Sequence, residues 1–113
     1  MHPRQRRAFQ YTMNQARNAY QAEQWSEAFA LLEQAHILGQ RSTRAHTLSH
    51  WWMFKVAWRQ RDWHEIRGQW LRLPAALLMS RLWVPEGNTG GANVSPLKPM
   101  PIPASLKMHM ETR

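Results

Sequence analysis

A ten-residue motif occurs twice in this chain, 38 residues apart, and it constrains the fold more than any other feature. Ala-Tyr-Gln-Ala-Glu-Gln-Trp-Ser-Glu-Ala at 19–28 aligns with Ala-Trp-Arg-Gln-Arg-Asp-Trp-His-Glu-Ile at 57–66. Alanine matches alanine, aromatic matches aromatic, Trp25 matches Trp63 and Glu27 matches Glu65. Each copy reads as the end of one helix, a tight turn near the tryptophan and the start of a second helix. Asp62 followed three residues later by Glu65 has the form of a capping box, with Asp in place of Ser or Thr. The pattern predicts helices at 4–22, 25–38, 43–60 and 62–82. Gly39 is expected just beyond the second helix and Ser42 or Thr43 as N-cap of the third. The fold class is therefore all-α, two helical hairpins built from four helices.

Residues 4–83 contain a single proline, Pro74, and two glycines, Gly39 and Gly68. From Val84 onward the composition changes, with Pro85, Gly87, Gly90, Gly91, Pro96, Pro99, Pro101 and Pro103. This divides the chain into a helical-hairpin domain at 1–83 and an irregular, Pro/Gly-rich C-terminal strap and tail at 84–113. Val94, Leu97 and Ile102 offer apolar anchors by which the strap would lie across the helices. A helix–turn–helix repeat with Ala and aromatic residues at packing positions resembles the tetratricopeptide class, although that class repeats at about 34 residues.

In a chain of 113 residues the core must be efficient, and seven tryptophans can supply much of it. Trp51, Phe54 and Trp58 fall on one helical stripe, and Trp63, Ile66 and Trp70 on another, as core faces do. Trp52 lies off the first stripe and is the candidate surface aromatic. The absence of cysteine excludes disulfides, thiolate nucleophiles, iron–sulfur clusters and Cys-based zinc sites. No apolar segment follows the basic start, and the longest nearly uncharged run is far too short to span a bilayer, so a cytoplasmic location is expected. A formal charge of +8 favours anionic partners, either nucleic acid or acidic protein. The basic residues are scattered, as on a solvated surface.

The chemistry-bearing constellation is Glu33 and His36, spaced i,i+3, with His46 and His50, spaced i,i+4. Both spacings keep the members of a pair near one face of a helix. In an antiparallel hairpin turning at residues 39–43, His36 and His46 lie nearest the turn, with Glu33 and His50 one turn deeper. Three imidazoles and a carboxylate form a transition-metal ligand set. Zinc would accept it tetrahedrally, and nickel, cobalt or iron with added water. Binding needs neutral imidazole, so affinity should fall below about pH 6.5. The alternative is that His36 answers the helix dipole at its C-terminal end while His46 and His50 are ordinary residues.

Other motifs are weaker. A di-iron carboxylate centre requires a second Glu-x-x-His and further glutamates, and a hydrolytic zinc site requires His-Glu-x-x-His; the sequence has neither, which weighs against an enzyme. Gly87-Asn88-Thr89-Gly90-Gly91 lacks the Gly-Lys-Ser/Thr ending of a phosphate loop and reads as a tight turn. Met108-His109-Met110 could hold Cu(I) through its thioethers, but reads more simply as a disordered tail.

Over nearly its full length the chain resembles a small bacterial family, domain of unknown function 3703. The residues that carry the likeness are 32–40, His46 with His50, Leu73-Pro74-Ala75-Ala76, and the Gly87-to-Ser95 segment. The resemblance implies a setting among metal-resistance and cation-efflux functions and no established activity. Three readings remain: a metal-binding protein accessory to metal homeostasis, a helical-repeat interaction module without metal, or a basic nucleic-acid-binding protein. Candidate partner contacts are Trp52, Arg41, Arg44, Asn88 and Asn93.

Overall fold

A computed structural model describes residues 1–79 and 86–110. Four long helices follow one another: α1 (Pro3–Gln21), α2 (Trp25–Gly39), α3 (Thr43–Gln60) and α4 (Trp63–Met79). A short α5 (Ala104–Lys107) and a 3-10 turn (Met108–Met110) follow the irregular segment. The bounds of α1 to α3 fall within a residue of expectation. The expected end of the fourth helix at 80–82 and the first strap residues, 84–85, lie outside the described residues. Each helix packs on the next in sequence, α1 on α2, α2 on α3 and α3 on α4, giving the two hairpins. No strand occurs among the described residues.

The repeat is written into the two intra-hairpin turns. Glu23 and Arg61, 38 residues apart, both adopt a left-handed backbone with φ of 58°. Gln24 N–H donates to the Ala19 carbonyl as Asp62 N–H donates to that of Ala57, and Ala28 to Gln24 as Ile66 to Asp62. Trp25 and Trp63 each open the second helix of their hairpin. The capping box is only half formed. Asp62 Oδ1 accepts from Glu65 N–H at 3.1 Å, but the Glu65 carboxylate turns inward to other partners. Ser42 caps α3, its hydroxyl accepting from Ala45 N–H. Gly39 is the last residue of α2 and has no left-handed φ. What selects glycine there is space, because a Cβ would stand 2.6 Å from that of Ala45 and 2.9 Å from the Phe9 ring.

The core lies between α1, α2 and α3 and is built from Phe9, Met13, Leu32, Leu38, Met53 and Val56. The tryptophan stripes expected to form it do not. Trp51, Trp58, Trp63 and Trp70 are all exposed, Trp70 to 67%. The inward face of α3 is instead Ala45, His46, Ser49, His50, Met53, Val56 and Ala57. That stripe is small and partly polar, so the strongest apolar signal in α3 belongs to its outer side. Trp52 is likewise reversed. It is half-buried against the core, edge-on to Tyr20 at 5.2 Å, with Lys55 Nζ 3.8 Å over its ring.

The segment after residue 85 is irregular as far as Pro103 and lies against the helices, but polar bonds hold it more than apolar anchors do. Leu97 is exposed, while Ile102 packs on the core. Arg72 Nη2 donates to the Val94 carbonyl, and Gly87 N–H donates to Gln40 Oε1. The end of the chain is not a loose tail through residue 110. Leu106 is buried, Met110 packs on the core, and His109 lines a cleft with Arg4, Arg7 and Tyr11.

Candidate metal centre

His36 from α2 and His46 and His50 from α3 meet in the interior, where α4 and the irregular segment close over them. All three are buried, and one donor nitrogen from each lies within 4.8 Å of the others. His36 Nε2 is 3.0 Å from His50 Nε2, which is 3.2 Å from His46 Nε2. Ligands of a tetrahedral ion at 2.0–2.1 Å stand ~3.3 Å apart, so these two pairs lie within a few tenths of an ångström of the spacing an ion requires.

The outer nitrogens decide what the inner ones carry. His36 Nδ1 is 2.8 Å from the carbonyl of Asn88, which can only accept, so this nitrogen carries the proton. His50 Nδ1 is 2.6 Å from Gln69 Oε1. The Gln69 amide cannot be turned round, because its nitrogen donates to Glu65 Oε2 at 2.7 Å and to the Gly90 carbonyl at 2.8 Å. His50 Nδ1 therefore donates as well. In the neutral rings both Nε2 atoms then present lone pairs to each other across 3.0 Å. A proton or a metal cation between them turns that contact from repulsion into attraction; the one neutral relief in reach is an Nε2–H of His46, 3.2 Å from His50 Nε2.

A proton is a poor candidate near neutrality. Burial pushes His36 well below its ordinary value, with the neighbouring His50 and His46 adding to the effect. Burial lowers His46 to about 4, and lowers His50 to about 3 with help from His46. The half-buried Arg72 guanidinium also disfavours charge on His36 and His50, and Glu65 lies close enough to that guanidinium to offset part of its field. The tripod thus stays neutral well below pH 6.5, and proton competition for a metal begins lower than an ordinary histidine would allow.

These depressed values make acid destabilising. Below pH 6.5 the unfolded chain takes up protons that the folded chain refuses. The stability gained by keeping the rings neutral is fully present above pH 6.5 and is lost as pH falls toward 4. Urea midpoints of the metal-free protein should fall from pH 7 to pH 5, at about 1.4 kcal/mol per pH unit for each fully buried ring. A flat profile over that range would mean that the rings titrate as they do in the unfolded chain.

Glu33 does not join the donor group. Three residues turn a helix by about 300°, which sets Glu33 to one side of His36 on α2. It lines a neighbouring cleft with Ser26, Phe29, Gln60, Asp62 and Glu65, where burial and the Glu65 charge raise its pKa. Asn88 is committed internally. Its buried side chain donates to the carbonyls of Ser95 and Lys98, each at 2.7 Å, and accepts from Gly90 N–H, which leaves no atom for a partner. Arg41 makes a 3.5 Å ion pair with Glu86 on the surface, Arg44 lines a cleft with Trp51 and Leu77, and Asn93 is exposed. The supporting residues were not visible to spacing arguments. Glu65 and Gln69, four apart on α4, were the available hint, since that spacing joins a carboxylate to an amide on one helical face.

The match to known proteins is to one family, described as a protein of unknown function (DUF3703), over residues 3–110. The chain belongs to that family. No curated protein and no solved structure matches it. Among the described residues, no helix is long and apolar enough to cross a membrane.

Proposed function

We propose that this DUF3703 protein binds one divalent transition-metal ion, zinc first among them, through the Nε2 atoms of His36, His46 and His50. Its role is to bind, buffer or sense that ion as an accessory to metal homeostasis. The observation that carries this reading is the facing pair of Nε2 lone pairs on His36 and His50, fixed by the outward Nδ1–H bonds to Asn88 and Gln69. Outward Nδ1–H bonds of this kind set the tautomer and orientation of metal-ligating histidines. Three nitrogen donors without thiolate suit Zn²⁺, with Co²⁺, Ni²⁺ or Fe²⁺ completing their shells from water. The chain brings no sulfur from cysteine to divert the site toward softer ions.

Calorimetric titration of the metal-free protein with zinc tests the proposal. One ion should bind per chain, and His46→Ala should abolish the high-affinity phase, whereas His2→Ala, His64→Ala and His109→Ala should leave it unchanged. Gln69→Ala, which removes the acceptor for His50 Nδ1–H, should weaken binding about 10–100-fold. Equal affinity in the wild type and His46→Ala would overturn the assignment.

A further inference from the structure

The outer side of α3 and α4 carries a surface for which metal binding has no use. Trp51 stacks on Phe54 with ring centroids 5.7 Å apart, and Phe54 lies 6.1 Å from both Trp58 and Trp70. Trp58 meets Trp63 edge-on at 6.2 Å. Leu77, two turns beyond Trp70, shares a cleft with Trp51 and Leu48. Leu48, Trp51 and Leu77, then Phe54 and Trp70, then Trp58 and Trp63 are successive rungs across the hairpin. With a rise of ~1.5 Å per residue, this apolar ladder runs ~15 Å along α3. Leu71 and Leu78, more than 70% exposed, extend the apolar surface along α4.

The charges on this side are mostly positive, with Glu23 and Asp62 at its margin. No Asp or Glu occurs in α3, and Glu65, the only acidic residue of α4, is buried against Gln69 and the Ala92 N–H. Arg44 and Arg67 stand on the outside of the two helices. Lys55, over the Trp52 ring, and Arg59, over Trp25 and paired with Glu23 at 3.6 Å, lie along the flank toward α1, while Asp62 sits in the turn as the cap of α4. A monomer seldom exposes a continuous apolar patch of this kind without a use for it.

We propose that this face docks on the surface of an anionic lipid bilayer. Indole rings favour the headgroup level of a membrane, leucines reach the acyl boundary beneath it, and arginine and lysine meet the lipid phosphates. A second copy of the chain fits less well, because a two-fold axis would press Arg44 and Arg67 on their own images. Among the described residues the carboxylates within reach, Glu23 and Asp62, stand at the margin, Glu23 already paired with Arg59. Single-stranded nucleic acid would occupy the indoles and the cations but leave Leu71, Leu77 and Leu78 without a partner.

Vesicle co-sedimentation of the full chain tests this, using phosphatidylcholine alone and mixed with phosphatidylglycerol. The protein should partition onto the anionic vesicles with a blue shift of its tryptophan emission, far less onto phosphatidylcholine, and release as salt is raised. The double variant Trp70→Glu/Leu78→Glu changes only exposed side chains, and should keep the wild-type far-UV dichroism and zinc stoichiometry. Its partitioning should fall about tenfold or more. Failure of the wild type to bind anionic vesicles overturns the proposal, as does unchanged binding by the folded double variant. A salt-insensitive dimer that Trp70→Glu dissociates, or tight binding to oligo-dT, in place of vesicle binding would assign the face to those partners instead. None of these readouts depends on zinc, so failure here leaves the metal site standing.

Discussion

Zinc added to the metal-free protein at about 100 times its Kd should raise stability by about 2.7 kcal/mol and Tm by roughly 10 °C, and chelator should reverse the shift. The gain arises because the folded tripod is already assembled, with Nε2 atoms 3.0 and 3.2 Å apart, whereas the unfolded chain holds no such site. His50→Ala removes the ring that faces both of the others and should abolish the shift. The shift should persist at pH 5.5, where an ordinary histidine is already mostly protonated, because His46 and His50 titrate only at about 4 and about 3. Differential scanning calorimetry with and without zinc at pH 7.5 and 5.5 reads all of this. An unaltered Tm in the wild type at both pH values would mean that no ion occupies the tripod.

Gly90→Ala should be among the most damaging single-methyl changes in the molecule. Gly90 has a φ of +87°, and a Cβ there would stand 2.6–2.8 Å from three atoms of the His36 ring. A left-handed backbone costs an alanine about 1–2 kcal/mol, and overpacking adds typically 1–3. Escape requires this stretch to lift, which would break the Gly90 carbonyl bond to Gln69 and the Asn88 carbonyl bond to His36. The expected result in urea unfolding is a loss of about 2–5 kcal/mol, together with faster amide exchange across 88–94 and weaker zinc binding. Gly91→Ala is the internal comparison. Gly91 has no positive φ, and the nearest contact of its Cβ would be 3.0 Å, so its cost should be smaller. Equal stabilities for Gly90→Ala and the wild type would mean that the segment does not press on His36.

The helices and their turns were legible because their signals are local. The 38-residue repeat, the N-cap Ser42 and the composition change at Val84 each act within a few residues of where they stand. The three histidines were legible for the same reason, since i,i+4 on α3 and the short 39–43 turn leave few ways for His36 to avoid the other two. Glu33 stands apart from the three histidines because i,i+3 leaves a side chain about 60° round the helix, enough to set it in the cleft beside Glu65. Apolarity alone points the aromatic stripes at the core, whereas Trp51, Trp58, Trp63 and Trp70 are exposed. Which side of α3 faces inward is settled by tertiary packing, and here the inner side went to His46, Ser49 and His50. Gln69, Glu65 and the Asn88 carbonyl depend on contacts between distant parts of the chain, which no spacing rule encodes.

A cysteine-free chain has no oxidative way to fasten its far end to its body. The outward Nδ1–H bonds supply another. They make His36 and His50 the inner links of a chain of contacts reaching Asn88 on one side and Gln69, Glu65 and Ala92 on the other. An ion at the Nε2 atoms would thus tie four separate stretches of sequence at a single point, on top of bonds that already hold them together. How firmly the segment around Gly90 is held would then rise and fall with free metal around the protein, and no reductant would be needed to loosen it.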